Sequence, residues 1–371
     1  MRKRHYPFVG IVGQEELLLG LILNVINPKL GGILIKGVKG SSKSTAVYAL
    51  PQIIPKIKVN EACNFNCDPN IEELWCEECL KKEGKIRIVE KNVANVQVPL
   101  SITEERLLGN INVEKLLKKG ETDFIPGILA KAHRQILYID EVNLLPDHII
   151  DDILDVSAMK WNTIERENFS ISHPSDFLLI GTMNPEEGEL RPQILDRFPI
   201  SVEVKSVGDI NLRKEIIKRN LLFERDPMNF IKEFASETEN LKKIIKISRK
   251  KLNKVQTKPY FYDQVVNLCA DKKIDGHRAD ITIIKTAETH AAFELKKQVS
   301  LKHIKQAAKF VLRHRTREGG LLKPLTAPEI DEYFAEISEQ ENQTGTQPLT
   351  NEIDKDINLF SHGGLIKPEK K

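Results

Sequence analysis

The segment Gly37-Val38-Lys39-Gly40-Ser41-Ser42-Lys43-Ser44 constrains the fold more than any other stretch of this chain. It follows the apolar run Gly32-Ile33-Leu34-Ile35 and opens a helical pattern over Thr45–Leu50. Strand, glycine-rich loop and helix in that order form a cradle in which successive backbone N–H groups and a helix N-terminus hold polyphosphate. In such a loop Lys43 reaches the β- and γ-phosphates, the Ser44 hydroxyl ligates Mg²⁺, and Thr45 completes the contact set. One position departs from the G-x-x-x-x-G-K-[ST] pattern: Ser42 stands where the second glycine belongs. A serine holds that turn without cost only if its φ is negative.

A second segment, Gln135-Ile136-Leu137-Tyr138-Ile139-Asp140-Glu141, reads as a buried strand ending in two carboxylates. Strands of a parallel sheet covered on both faces are continuously apolar, and ligands of such sheets gather at the carboxyl ends of the strands. Asp140 therefore suits the outer coordination sphere of Mg²⁺, one layer out from the ion, and Glu141 suits a general base that polarises the attacking water. A third apolar run, Phe177–Met183, ends in Asn184, whose amide can hydrogen-bond the attacking water or a γ-phosphate; an Asn before Pro185 is also a common turn. Arg191 and Arg197 precede the next strand, where an arginine of one ring subunit can reach the γ-phosphate of its neighbour. Arg278, in Asp275-Gly276-His277-Arg278, opens a later helix and can fold over a nucleotide.

The apolar runs 33–35, 96–100, 136–139, 177–181 and 200–204 alternate with helical patterns near 43–50, 127–133 and 146–157, the signature of a parallel α/β sheet. We expect this domain to span 1–206, interrupted by a Cys-rich insertion at 61–82 and a hairpin at 161–172. From 207 to 320 only helical patterns remain, near 208–222, 226–252, 260–272, 278–297 and 300–314, so a separate all-α domain follows. A polar, partly disordered tail is expected over 321–371.

The chain has 371 residues, 40% of them hydrophobic and 29% charged, with a net charge of +3. That balance gives no general argument for nucleic-acid binding, and no apolar stretch is long enough for a membrane helix. The basic start Met1-Arg2-Lys3-Arg4 precedes no signal-type apolar core, so a cytoplasmic location is expected. Lysines and arginines between 242 and 258 form a basic stretch without interleaved aromatics, which fits a solvated helix face. Four of the five cysteines fall as Cys63-x₃-Cys67 and Cys76-x₂-Cys79. Short paired spacing suits a tetrahedral zinc site; a redox pair at Cys76 and Cys79, or unliganded thiols, are the alternatives.

Together these segments resemble the I subunit of magnesium chelatase, an AAA+ ATPase. The resemblance runs from about Tyr6 to Arg317 and rests on Pro7–Gln14, Thr103–Gly109, Asp140–Leu145, Trp161–Arg166 and Asn184–Phe198. It implies an AAA+ P-loop fold with a helical lid, ATP and Mg²⁺ as ligands, and nucleotide contacts from Val12 and Gly13 as well as Gly37–Thr45. It further implies Asn184 as the γ-phosphate sensor, Arg197 as the trans-acting finger beside Asp196, and Arg278 as the lid sensor. The family forms homo-oligomeric rings, usually hexamers, and drives a von Willebrand A-containing D subunit and a catalytic subunit that inserts Mg²⁺ into protoporphyrin. A related alternative is a MoxR-like chaperone acting with a von Willebrand A protein in metal or cofactor insertion. A DNA-associated AAA+ motor, and a non-hydrolysing nucleotide-binding scaffold suggested by Ser42, are further readings. The first lacks any DNA-reading motif; against the second, both carboxylates and both arginines are present.

Overall fold

The computed structural model describes residues 4–61, 63–81, 87–111, 124–166, 169–343, 360–361 and 364–365. The chain divides into two compact units, Met1–His5 with Gly31–Glu189, and Tyr6–Leu30 with Leu190–Lys371.

The first unit contributes four parallel strands to the central sheet: β1 (Ile33–Gly37), β2 (Asn95–Val98), β3 (Ile136–Ile139) and β4 (Leu178–Met183). They lie side by side in the order β1-β4-β3-β2. Every residue of β3 and β4 is buried, the pattern of strands covered on both faces. The register brings their carboxyl ends level: Ile35 pairs with Thr182, Gly181 with Ile139, and Val98 with Ile139. The loops after β1, β3 and β4 therefore open on the same edge of the sheet. The helix Asp147–Met159 buries Ile149, Ile150, Ile153, Leu154 and Val156, the i, i+3, i+4, i+7 stripe of an amphipathic helix.

Short antiparallel ribbons interrupt this α/β pattern. Ile57–Asn60 pairs with Ile88–Lys91 and brackets the Cys-rich segment. Gly109–Ile111 pairs with Phe124–Pro126. Trp161–Arg166 pairs with Phe169–Pro174 through six residue pairs, from Trp161↔Pro174 to Arg166↔Phe169.

The second unit is mainly helical, with the strand Ile200–Val204 near its start. Its helices include Glu15–Ile26, Ile210–Arg225, Ala235–Lys251, Pro259–Asp271, Arg278–Phe293 and Leu301–Leu312. One core gathers Phe261, Leu268, Ile283, Ala287, Ile304 and Val311. Leu325, Ile330 and Phe334 bury into that same core, and a helix spans Ala327–Gln343. The region expected to begin a tail at 321 is thus packed structure over its first part. The remaining tail lies almost wholly outside the described residues. The boundary expected at 206 also differs, because Tyr6–Leu30 and Leu190 onward belong with the helical unit. Within the basic stretch, Arg249 is not part of a solvated face. It is half-buried and donates from Nη2 (2.7 Å) and Nε (3.1 Å) to the Val25 carbonyl, in the last turn of the helix Glu15–Ile26, whose carbonyls lack intrahelical partners. Among the described residues no helix is long and apolar enough to cross a membrane.

Candidate active site

The loop after β1 begins with Gly37 and leads into the helix Lys43–Ala49. Gly40 has φ +77 and a Cβ there would meet nothing within 4 Å. Ser42, the position without its glycine, takes φ 65 and ψ 15. The left-handed turn is therefore kept, at a cost of roughly 1 kcal/mol for a residue bearing a Cβ. Lys43 Nζ donates to the carbonyls of Gly37 and, at 2.8 Å, Val38. Partial burial lowers the Lys43 pKa, and Asp140, Glu141 and Glu187 oppose that shift. Ser41 Oγ donates to the Val38 carbonyl at 2.7 Å.

Beyond β3, Asp140 is held by two hydroxyls. Thr182 Oγ1, on β4, donates to Asp140 Oδ1 at 2.7 Å, and the Tyr138 hydroxyl donates to the same oxygen at 2.8 Å. The Tyr138 oxygen also lies 3.2 Å from Ser44 Oγ. A continuous polar chain Ser44–Tyr138–Asp140–Thr182 thus joins the phosphate-loop helix to two strands. Burial raises the Tyr138 pKa, so its proton stays in place. The Glu141 N–H donates to Thr182 Oγ1 at 3.2 Å. That bond helps hold Glu141 at φ 55, ψ 57, a left-handed conformation that persists in a residue bearing a Cβ only where its surroundings hold it. Asn184 is buried, and its Oδ1 accepts the Glu186 N–H at 3.3 Å, so the side chain does cap a turn. Lys39 pairs with Glu187 at 2.8 Å and lies 4.0 Å from Glu141. Their hydrogen bond raises the Lys39 pKa and lowers that of Glu187.

The first unit thus brings Lys39, Lys43, Ser44, Asp140, Glu141 and Asn184 to neighbouring strand ends. Val12, Gly13, Arg191, Arg197 and Arg278 belong to the second unit. Gly13 has φ +73, and a Cβ there would lie 2.8 Å from Val207 Cγ2. Arg191 and Arg197 are exposed. Arg278 Nη1 donates to the Asp196 carbonyl at 3.4 Å, and the buried Arg315 donates to that same oxygen. Asp196 Oδ1 accepts the Thr316 N–H at 3.1 Å. Sequence reasoning missed Tyr138, Thr182 and Glu187. The signal was available for the first two, because side chains two apart on a strand share a face, which sets Tyr138 with Asp140 and Thr182 with Asn184.

The family profile of the AAA domain (dynein-related subfamily) matches residues 83–198, and that of the AAA lid domain matches 263–337. The chain is 46% identical over 341 residues to a magnesium-chelatase subunit ChlI homolog of Methanocaldococcus jannaschii, covering 91% of this chain and 93% of that protein. It is 42% identical to the magnesium-chelatase subunit ChlI of Euglena gracilis, covering 90% of this chain and 96% of that one. Among solved structures it resembles a chain from the complex between subunits BchI and BchD of magnesium chelatase. There the TM-score is 0.51 and the identity 36%, with 89% of this chain and 99% of that chain covered. On this similarity and this site, the chain belongs to the magnesium-chelatase ChlI-subunit family and is an AAA+ ATPase.

Proposed function

We propose that this protein is the ATP-driven ring subunit of a magnesium-chelatase-type metal-insertion complex, working in the cytoplasm as a hexamer upon a D-type partner that carries a von Willebrand A domain. The observation that carries the reading is the chain Ser44–Tyr138–Asp140–Thr182, which ties the phosphate loop to the strand that ends in Glu141. The extent of likeness to curated ChlI subunits favours this reading over a stand-alone chaperone, and the similar chain from a BchI–BchD complex supports a D-type partner.

The residues fit MgATP. The loop amides after Gly37 and the Lys43 ammonium suit polyphosphate, and Ser44 with Asp140 supplies the hard oxygen ligands that Mg²⁺ prefers. When bound, Mg²⁺ supplies neutralisation of charge on the phosphate oxygens. Tyr138 and Thr182 hold Asp140 in one orientation before any ligand arrives, so little ordering is left to be done on binding. Glu141 accepts a proton from the attacking water, and Asn184 orients that water or senses the γ-phosphate. Lys39 neutralises Glu187 and competes for the Glu141 carboxylate. Arg197 acts in the neighbouring subunit's site, and Arg278 couples the lid to nucleotide.

The test uses two inactive variants. Arg197→Ala retains Glu141, and Glu141→Gln retains Arg197. An interface that pairs the intact residue of each restores turnover, so subunit-exchanging mixtures hydrolyse ATP faster than either variant alone. Mixtures that stay as inactive as their components place Arg197 outside the trans site.

A further inference from the structure

We infer that Cys63, Cys67, Cys76 and Cys79 form a closed tetrahedral zinc site that locks the insertion onto the amino end of β3. The four Sγ atoms all lie within 4.8 Å of one another, and Cys63 Sγ is 3.7 Å from Cys76 Sγ. A tetrahedron with metal–sulfur bonds of about 2.3 Å has edges of about 3.8 Å. All four cysteines are buried, at 4%, 0%, 2% and 1% exposure, and none forms a disulfide.

The surroundings are those of thiolate ligands rather than of packed thiols. Three N–H donors point at the sulfurs: Phe65 N to Cys63 at 3.3 Å, Cys76 N to Cys67 at 3.2 Å, and Asn60 Nδ2 to Cys79 at 3.4 Å. Such donors offset the negative charge that four thiolates place on one cation, and they fix the ligands' orientation. Cys76 and Cys79 lie on the turn that begins the helix Glu77–Leu80, where the Cys79 N–H donates to the Cys76 carbonyl at 2.9 Å. A redox pair needs a thiolate that a reactant can reach, which the burial of both residues denies. Four sulfur ligands select a thiophilic cation over Mg²⁺, and a four-protein-ligand sphere leaves no open position for catalysis. The role is structural.

What the cluster holds is visible in its neighbours. Cys63, Phe65, Cys67, Cys76 and Cys79 pack with Ala130, and with Trp75 and Phe124 at the margin. Phe65 stacks on His173 at 5.2 Å between ring centroids, which joins the cluster to the hairpin. Arg134, two residues before β3, donates from Nη1 to the carbonyls of Lys58 (2.7 Å) and Asn66 (3.0 Å), and from Nη2 to Asp68 Oδ2 (2.8 Å). The insertion is therefore fastened to the start of the strand whose far end carries Asp140 and Glu141.

The experiment is metal analysis of the full-length protein expressed with zinc supplied, followed by mercurial titration of its thiols. We expect about one zinc per chain, by the four-ligand rule, released as the four cluster thiols are consumed. Exchange with Co²⁺ should give the intense visible ligand-field bands of tetrahedral cobalt–thiolate in the wild-type chain. This readout needs no mutant to fold. The double variant Cys76→Ser/Cys79→Ser should lose the zinc, and Cys269→Ser, in the helical core of the second unit, should keep it. Iron in place of zinc, four thiols titrating without metal release, no cobalt bands, or zinc retained by the double variant would each overturn the assignment.

Discussion

The two ends of β3 are built alike and serve different ends. Both are turned by a non-glycine residue in the left-handed region, Arg134 with φ 58 before the strand and Glu141 with φ 55 after it. Each such residue is strained by roughly 1 kcal/mol and is held by its partners. At the amino end the partners hold the side chain, because the Arg134 guanidinium donates to the Lys58 and Asn66 carbonyls and to the Asp68 carboxylate. At the carboxyl end the Glu141 N–H is tied to Thr182 and its carbonyl accepts the Leu144 N–H, while its carboxylate lies 4.0 Å from the exposed Lys39 and a third of the side chain remains exposed. A strained backbone with a held side chain makes a joint. The same backbone with an available carboxylate makes a reactive position. About 13 Å of strand separates the two, at roughly 3.3 Å per residue.

Substitutions at the two ends should therefore fail in different ways. The largest effect is expected from Glu141→Gln, which keeps the shape and removes the base. Steady-state kinetics should show kcat lower by about 10²- to 10⁴-fold, the usual contribution of a general base, with MgATP affinity and thermal stability little changed. Arg134→Ala should do the reverse. Losing a guanidinium with three donated hydrogen bonds should cost about 2–3 kcal/mol of stability, read by urea denaturation of the first unit, while kcat of the folded protein holds. A collapse of kcat at temperatures where Arg134→Ala is fully folded would merge the two ends into one functional unit. The smallest effect is expected from Tyr138→Phe. It removes one of the two hydroxyls on Asp140 and the link to Ser44, worth about 1 kcal/mol. The Mg²⁺ concentration for half-maximal ATPase activity should rise about 5-fold, and no change would mean that Thr182 alone positions the carboxylate.

The carboxyl end was legible in the sequence because chemistry there depends on residue identity at fixed spacing. Gly37–Ser44, Asp140 and Glu141 declare themselves, and the strands carrying them read as continuous apolar runs since both faces are buried. What the letters do not carry is torsion. A serine at position 42 holds its turn cheaply only at negative φ, and residue identity does not say which φ it takes; the loop keeps the left-handed geometry at φ 65. The amino end was legible only as cysteine spacing. Ribbon strands such as Ile57–Asn60 and Ile88–Lys91 are short and largely exposed outside Val59 and Asn60, so they leave no hydrophobic period to find. The helix Ala327–Gln343 was read as tail because Ile330 and Phe334 supply a narrow apolar stripe in otherwise polar sequence. Arg249 hid in a basic run, since a charge count cannot tell one guanidinium bonded to the Val25 carbonyl from its solvated neighbours. The helix Glu15–Ile26 is buried nearly all round. Without an exposed face it gave no sign of which unit it joins.

Hydrogen–deuterium exchange with and without MgATP, on the Glu141→Gln protein so that nucleotide is retained, tests the division between the two ends most directly. The account predicts protection of the loop Gly37–Ser44 and of Asp140–Leu145 on nucleotide binding, with the insertion around Cys63–Cys79 unchanged because it is already locked. Protection confined to the insertion, or none in the phosphate loop, would contradict it.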